Sequence, residues 1–318
     1  MPARPAPLLA LIIPCYNEEE TLPRTLSALA ALLERCKAQG LIRPESYALY
    51  VDDGSRDRTW QLLEERHRQD IFCRGVSFAA NAGHQNAVWA GMDTARQWGA
   101  DCIISLDADL QDDIGVIPDM LARYAEGCDI VYGVRNDRSA DTAFKRGTAH
   151  FFYRLMGWLN VRLIPDHADY RLVSRPVLEA LRGFEEQTLF LRGLFPTLGF
   201  RTDKVYYSRL SRQAGESKYP LLKMLSFAWK GITSCSAAPL RLAGFMSLLC
   251  MLAALICCVF SFFRYLEGEV IQGWTSLMIV ALLLGSVQLF CLSVMGEYIA
   301  KIFTEVRRRP RYIVEKTL

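Results

Sequence analysis

The sequence predicts an α/β fold: a Rossmann-like domain with a mostly parallel sheet, followed by interface helices and a two-helix transmembrane hairpin. Three observations predict it. Short apolar runs alternate with helical periods from residue 8 to about residue 133, the pattern of a parallel sheet covered by helices on both faces. A polar cluster follows each of the first four runs. Two uncharged stretches, 243–263 and 274–296, lie near the C-terminus. Each is long enough to cross a hydrocarbon core of about 30 Å at about 1.5 Å per residue.

Residues 8–14 form a first strand, continuously apolar as a buried parallel strand should be. Residues 17–40 follow as a helix, with Glu18, Glu19 and Glu20 in its first turn and Gly40 after its end. Strands are then expected at 47–52, 75–79, 102–106 and 130–133, and helices at 59–69, 83–99 and 117–125. The N-terminal apolar run lacks the long core and small-residue cleavage site of a signal peptide, and reads as the first strand.

The segment 216–242 alternates apolar residues with Lys and Trp, broken by Pro220, Gly231 and Pro239. It reads as short helices lying in a membrane interface, with Trp229 at headgroup depth. The domain plan is therefore 1–215 soluble, 216–242 interfacial, 243–296 membrane hairpin and 297–318 basic tail. Lys218, Lys223, Lys230 and Arg241 precede the first span, and Lys301, Arg307, Arg308, Arg309 and Arg311 follow the second. The link between the spans carries one Arg and two Glu. The positive-inside rule puts both large flanks, and so both termini, in the cytoplasm. This predicts a multi-pass protein of the inner (plasma) membrane.

A net charge of +3 is too small to argue for a nucleic-acid partner. The ten cysteines include no CxxC pair, and several fall inside apolar segments. A zinc or disulfide framework is not expected, and a reducing cytosol fits.

The polar clusters "PCYNEEE", "VDDGSRDRT", "NAGHQNA" and "DADLQDD" share one address, the carboxyl end of a strand. Ligands of open α/β sheets bind there. In "SLDADLQDD", residues 105–113, Asp107 and Asp109 stand one residue apart and share a face in extended geometry. With Gln111 they make a hard-oxygen site suited to Mg²⁺ or Mn²⁺. Taken alone, the stretch is equally a solvated acidic loop, with Asp112 and Asp113 capping the next helix. Asp52, Asp53 and Gly54 read either as a capped turn or as a base or ribose contact. Gly83 reads as a close-approach position or as a plain turn. His84 and His167 receive no catalytic role.

The motifs "IIPCYNEEETL", "VDDGSRDRT", "SLDADLQDD" and "GESKY", then two spans and "GEYIAKIFTEVRRRPRYIV", together carry a likeness. The chain resembles the membrane-anchored polyprenyl-phosphate glycosyltransferases of glycosyltransferase family 2, relatives of dolichyl-phosphate mannose synthase. The resemblance implies a GT-A fold and transfer of a sugar from a nucleotide-sugar, UDP-linked by likeness to the bacterial branch, to polyprenyl (undecaprenyl) phosphate. It assigns Pro14, Tyr16, Glu18, Asp52, Gly83 and Asp107 to the donor, Asp107, Asp109 and Gln111 to a divalent metal, and Asp109 and Arg135 to catalysis. Arg135, Arg146, Arg171, Arg212, Ser217 and Lys218 fall to the acceptor-phosphate side. It also implies a homotetramer as the assembly to test. A polysaccharide synthase of the same fold would carry a QxxRW-type motif and more spans, neither of which appears. A non-catalytic nucleotide-sugar-binding scaffold is the reading from another class.

Overall fold

The structure, a computed structural model, describes residues 4–136, 167–187, 189–208, 238–266 and 273–318. The chain divides into two compact units. The first holds the sheet and takes in residues 309–318; the second holds the two long C-terminal helices.

The first unit alternates as expected: β1 (Leu9–Cys15), α1 (Leu22–Ala38), β2 (Tyr47–Asp52), α2 (Thr59–Gln69), β3 (Cys73–Phe78), α3 (His84–Gln97), β4 (Cys102–Ser105), a 3₁₀ turn at Ile114–Val116, α4 (Ile117–Ala125) and β5 (Ile130–Arg135). Then come β6 (His167–Ser174), α5 (Arg175–Leu181), α6 (Leu191–Leu194), β7 (Thr202–Tyr207) and, after the long helices, β8 (Val314–Thr317). The strand order is β7-β5-β6-β4-β1-β2-β3-β8. Strands β1 to β4 pair in parallel, as does β5 with β7. Strand β6 runs antiparallel between β4 and β5, and β8 antiparallel along β3. The sheet is therefore mixed, with a parallel heart.

Two apolar layers close over it. Leu22, Leu29, Leu63, Ile117 and Met120 cover one face; Ala87, Val88, Val177 and Leu178 cover the other. All seven residues of β1 are buried, as a central strand requires.

Helix α1 departs from expectation at its start. Its first turn holds no acid, and Glu18, Glu19 and Glu20 precede it. The Glu18 carbonyl accepts from the N–H groups of Thr21 and Leu22, while the N–H groups of Glu18 and Glu19 donate to Thr59 Oγ1 (2.9 Å) and Asp57 Oδ2 (3.0 Å). The acids are thus held in a turn tied to the β2–α2 loop, and Pro23 opens the helix, where its missing N–H costs nothing.

In the second unit, α7 (Ala238–Leu266) and α8 (Trp274–Val306) pack on each other. They extend beyond the expected spans. Phe245, Leu248, Leu255, Leu283, Ile299 and Phe303 stand exposed along them. Among the described residues, Leu283–Val306 is long and apolar enough to cross a membrane, with a mean hydropathy of 1.5. Segment 216–237 of the expected interface helices lies outside the described residues.

Candidate active site

The polar loops meet at the carboxyl ends of β1 to β4. A cleft of about 470 Å³ opens there, lined by Tyr16, Asp52, Arg56, Trp60, Ser77 and Asn81 among others. Asp52, the last residue of β2, is 2% exposed. Its carboxylate accepts from Ser77 Oγ at 2.8 Å and from the Ser55 N–H at 3.2 Å. Both partners are neutral, so the negative charge is kept at the cleft floor. Tyr16 stands 45% exposed at the same cleft.

Asp53 does different work from its neighbour. Its carboxylate accepts the N–H groups of Ala82 (2.6 Å) and Gly83 (2.9 Å), binding the β2 loop to the loop after β3. Burial raises its pKa despite those two bonds. The Gly83 N–H is therefore committed inside the protein. Gly54 sits between these loops with φ +68°, and a Cβ there would lie 2.8 Å from the backbone of Ala80 and Asn81. Only glycine combines that conformation with that approach.

A second, strongly acidic group lies at the ends of β4, β5 and β6. Asp109 accepts from the Gln111 side-chain amide and from its backbone N–H at 3.2 Å. Leu110, between them, has φ +51°, a left-handed conformation that costs a branched residue roughly 1 kcal/mol or more. Asp112 and Asp113, left open by the sequence, divide. Asp113 caps the 3₁₀ turn by accepting from the Gly115 N–H at 2.8 Å. Asp112 accepts from the Tyr207 hydroxyl and from Arg135 Nη2 at 3.4 Å. Arg135 Nε donates to the Tyr207 hydroxyl at 3.3 Å, which fixes the guanidinium at the strand end, about a third exposed.

Asp169, unnoticed in the sequence, is the hub of the β6 side. Arg171 and Arg192 both donate to it, Arg192 at 3.1 Å, and Gln85 approaches at 3.4 Å. Burial alone would raise its pKa, but the two guanidinium groups hold it well below the usual carboxylate range. Arg171 is 1% exposed and lies over the Phe195 ring at 4.6 Å. This corrects its assignment to the acceptor side: a strand residue whose charge is sealed against Asp169 cannot meet a lipid phosphate. The signal was local, because residues 169 and 171 share a face of one strand. Arg146, Arg212, Ser217 and Lys218 lie outside the described residues.

Asp107 differs from the other acids of this group. The basic side chain beside it is His84, whose Nε2 is 3.8 Å from it and 3.8 Å from Asp169. Burial, together with Asp112, Asp169 and Asp109, pushes its carboxyl up to about 6 against the pull of His84. Among the described residues, no three His, Cys, Asp or Glu side chains gather as a ready-made metal cage. A pair of carboxylates one residue apart, with Asp109 held only by the neutral groups of Gln111, nevertheless fits an ion such as Mg²⁺. Such ions take one or two carboxylates and leave their remaining positions to substrate phosphates and water.

The model of "Glycosyl transferase family 2" matches residues 10–182, more than half of the chain, from β1 through α5. The chain belongs to glycosyl transferase family 2. Its mixed, helix-covered sheet is the GT-A architecture of this glycosyltransferase. A second model, the "GtrB C-terminal hairpin", matches residues 238–302, which are α7 and most of α8. The glycosyltransferase is 45% identical to the uncharacterized glycosyltransferase YkoT of Bacillus subtilis, over 97% of this chain and 91% of that one. It is 35% identical to the SfII prophage-derived bactoprenol glucosyl transferase of Shigella flexneri, over 97% and 98%. It is 34% identical to a prophage bactoprenol glucosyl transferase homolog of Escherichia coli, over the same shares. Among solved structures, glucosyl-3-phosphoglycerate synthase of Mycobacterium tuberculosis aligns with a TM-score of 0.44 at 17% identity, over 71% of this chain and 76% of that one.

Proposed function

We propose that this glycosyltransferase moves a hexose-type sugar from a UDP-sugar to polyprenyl phosphate at the cytoplasmic membrane face, with inversion at the anomeric carbon. The observation that carries the reading is full-length likeness, hairpin included, to relatives named for glucosyl transfer to bactoprenol. The geometry supports it. The cleft over Asp52 receives the nucleoside, and Tyr16 flanks it. Asp107 and Asp109 would hold a divalent ion, with Gln111 orienting Asp109. Bound there, it would supply Lewis-acid stabilisation to the diphosphate leaving group.

The acceptor is a phosphate monoester. Its second pKa is near 6, so at pH 7 it is already largely a dianion. One of its oxygens attacks the anomeric carbon as the bond from that carbon to the UDP oxygen breaks, and no proton has to be removed. What the acceptor needs is a cation that positions it without quenching it. Arg135, held by Asp112 and Tyr207 yet partly exposed, has that form. The apolar helices α7 and α8 and the basic flanks anchor the chain in the membrane where such a lipid phosphate lies.

The test is a set of radiolabelled UDP-sugars presented with undecaprenyl phosphate and Mg²⁺ or Mn²⁺ to the purified full-length protein. One sugar should appear on the lipid with equimolar release of UDP. Asp109→Ala should lose roughly a thousandfold in turnover, about 4 kcal/mol, while keeping the wild-type Tm. UDP release that ignores added lipid phosphate would overturn the acceptor, and wild-type turnover in Asp109→Ala would overturn the metal site.

A further inference from the structure

The last strand is not where it is for the sake of the core. All four residues of β8 are exposed, so the strand itself adds little to the core, which is touched by Tyr312 before it and Leu318 after it. It is nevertheless fixed at several points. The Leu318 N–H donates to the Gly75 carbonyl at 2.8 Å, and the Ala79 N–H to the Ile313 carbonyl at 3.0 Å. Tyr312 stacks on Phe78 with ring centroids 4.9 Å apart. Arg311 donates to the Phe184 carbonyl at 2.6 Å and lies over the Trp89 ring. A Cβ at Gly75 would come within 3.1 Å of the Leu318 side chain and 3.2 Å of the Trp60 ring, so β3 is shaped to receive the tail. The segment lies beyond the residues matched by either family model.

Covering an open sheet edge accounts for the pairing. It does not account for the register. Ser77 pairs with Lys316 but Phe78 with Val314, so Glu315 is an extra residue on β8. Bulges at sheet edges re-aim side chains, often beside active sites. Here Glu315 and Lys316 both line the cleft over Asp52.

The registers place four residues in one row across the sheet: Cys15, Asp52, Ser77 and Lys316. Paired residues project from the same face. Neighbouring strands lie about 4.8 Å apart, so Asp52 and Lys316, two strands apart, are separated by roughly 10 Å. Both side chains line the same cleft, with Ser77 between them, so a planar heterocycle lying over that row would meet a carboxylate at one end and an ammonium at the other. Uracil suits the two charges: its ring N–H donates to the carboxylate, and the adjacent carbonyl accepts from the ammonium. Cytosine would set a bare ring nitrogen against the carboxylate and an amino group against the ammonium.

We propose that the C-terminal strand is a wall of the donor's nucleoside subsite, and that Lys316 acts with Asp52 to select a uracil edge over a cytosine edge. The proposal rests on the donor reading of the cleft given above. Its test is calorimetric titration of the detergent-solubilised full chain with UDP and with CDP, each in Mg²⁺. Lys316→Ala should weaken UDP binding by about tenfold, the size of one charge-assisted hydrogen bond. It should narrow the UDP-to-CDP ratio by a similar factor and leave Tm unchanged. Lys316→Arg should restore most of the loss, which a merely structural tail residue would not require. Wild-type UDP affinity and wild-type selectivity in both Lys316→Ala and Lys316→Glu would overturn the role of the strand. If Asp52→Ala abolished UDP binding in the same experiment, the donor reading would survive that failure. If the wild-type chain bound neither nucleotide, both readings would fall.

Discussion

Asp52 is a buried carboxylate and Asp169 a largely buried one, both near the open end of the sheet, and their surroundings are opposite. Asp52 is held by a hydroxyl and a backbone N–H, and it floors a cleft. Asp169 is held by Arg171 and Arg192. Neutral partners fix a carboxylate without cancelling it, so its charge stays available to a ligand. Guanidinium partners cancel it and turn the pair into part of the frame. The number of acids in a crevice therefore says less about its chemistry than the identity of what each acid already touches.

The sharpest way to break this comparison is to neutralise each acid without changing its shape. Asp169→Asn leaves Arg171 buried and its charge uncompensated, and should cost about 3–5 kcal/mol. Asp52→Asn keeps a side chain that can bond Ser77 and Ser55, and should cost no more than about 1 kcal/mol. Urea titration of the detergent-solubilised chains reads both. Equal losses would mean that Asp52 is as structural as Asp169.

The pH dependence sharpens the same contrast. The folded-state pKa of Asp169 lies well below its unfolded value of about 3.9. Its contribution is therefore fully present above the unfolded value and is lost as pH falls through it towards the folded one. The stability gap between wild type and Asp169→Asn should be constant from about pH 7 to 5 and shrink steadily below about pH 4. A gap that stayed flat down to pH 3 would mean that the ion pair does not hold the strand.

The sequence was legible where one principle acted alone. Strands β1 to β5 and helices α1 to α4 follow from continuous apolar runs and helical periods, and the loops after β1 to β4 sit at the site end because parallel strands all point there. Strand β6 was not assigned, because "HADYRLVS" carries Asp169 and Arg171 on the face it buries. Their charges read as surface until each is seen to neutralise the other. Strands β7 and β8 are edge strands: β8 is exposed throughout and β7 buries only Val205 and Tyr207, an apolar alternation too short to announce a strand. The tail looked like a basic cytosolic extension, yet its last residues form the wall of a cleft whose other walls lie over two hundred residues earlier. Only the β-pairing reveals that.

The smallest effect tests the other end of the crevice. Arg135 is oriented by Asp112 and Tyr207 and is still about a third exposed. If it positions the acceptor phosphate, Arg135→Ala should raise KM for undecaprenyl phosphate by about fivefold to tenfold and leave KM for the UDP-sugar within about twofold, as expected when one charge-assisted contact is lost. Tyr207→Phe, which removes a hydroxyl that both Arg135 and Asp112 use, should move the same constant in the same direction by less. A rise confined to the donor KM would shift Arg135 to the side of Asp52, leaving the acceptor to be held by residues beyond β5.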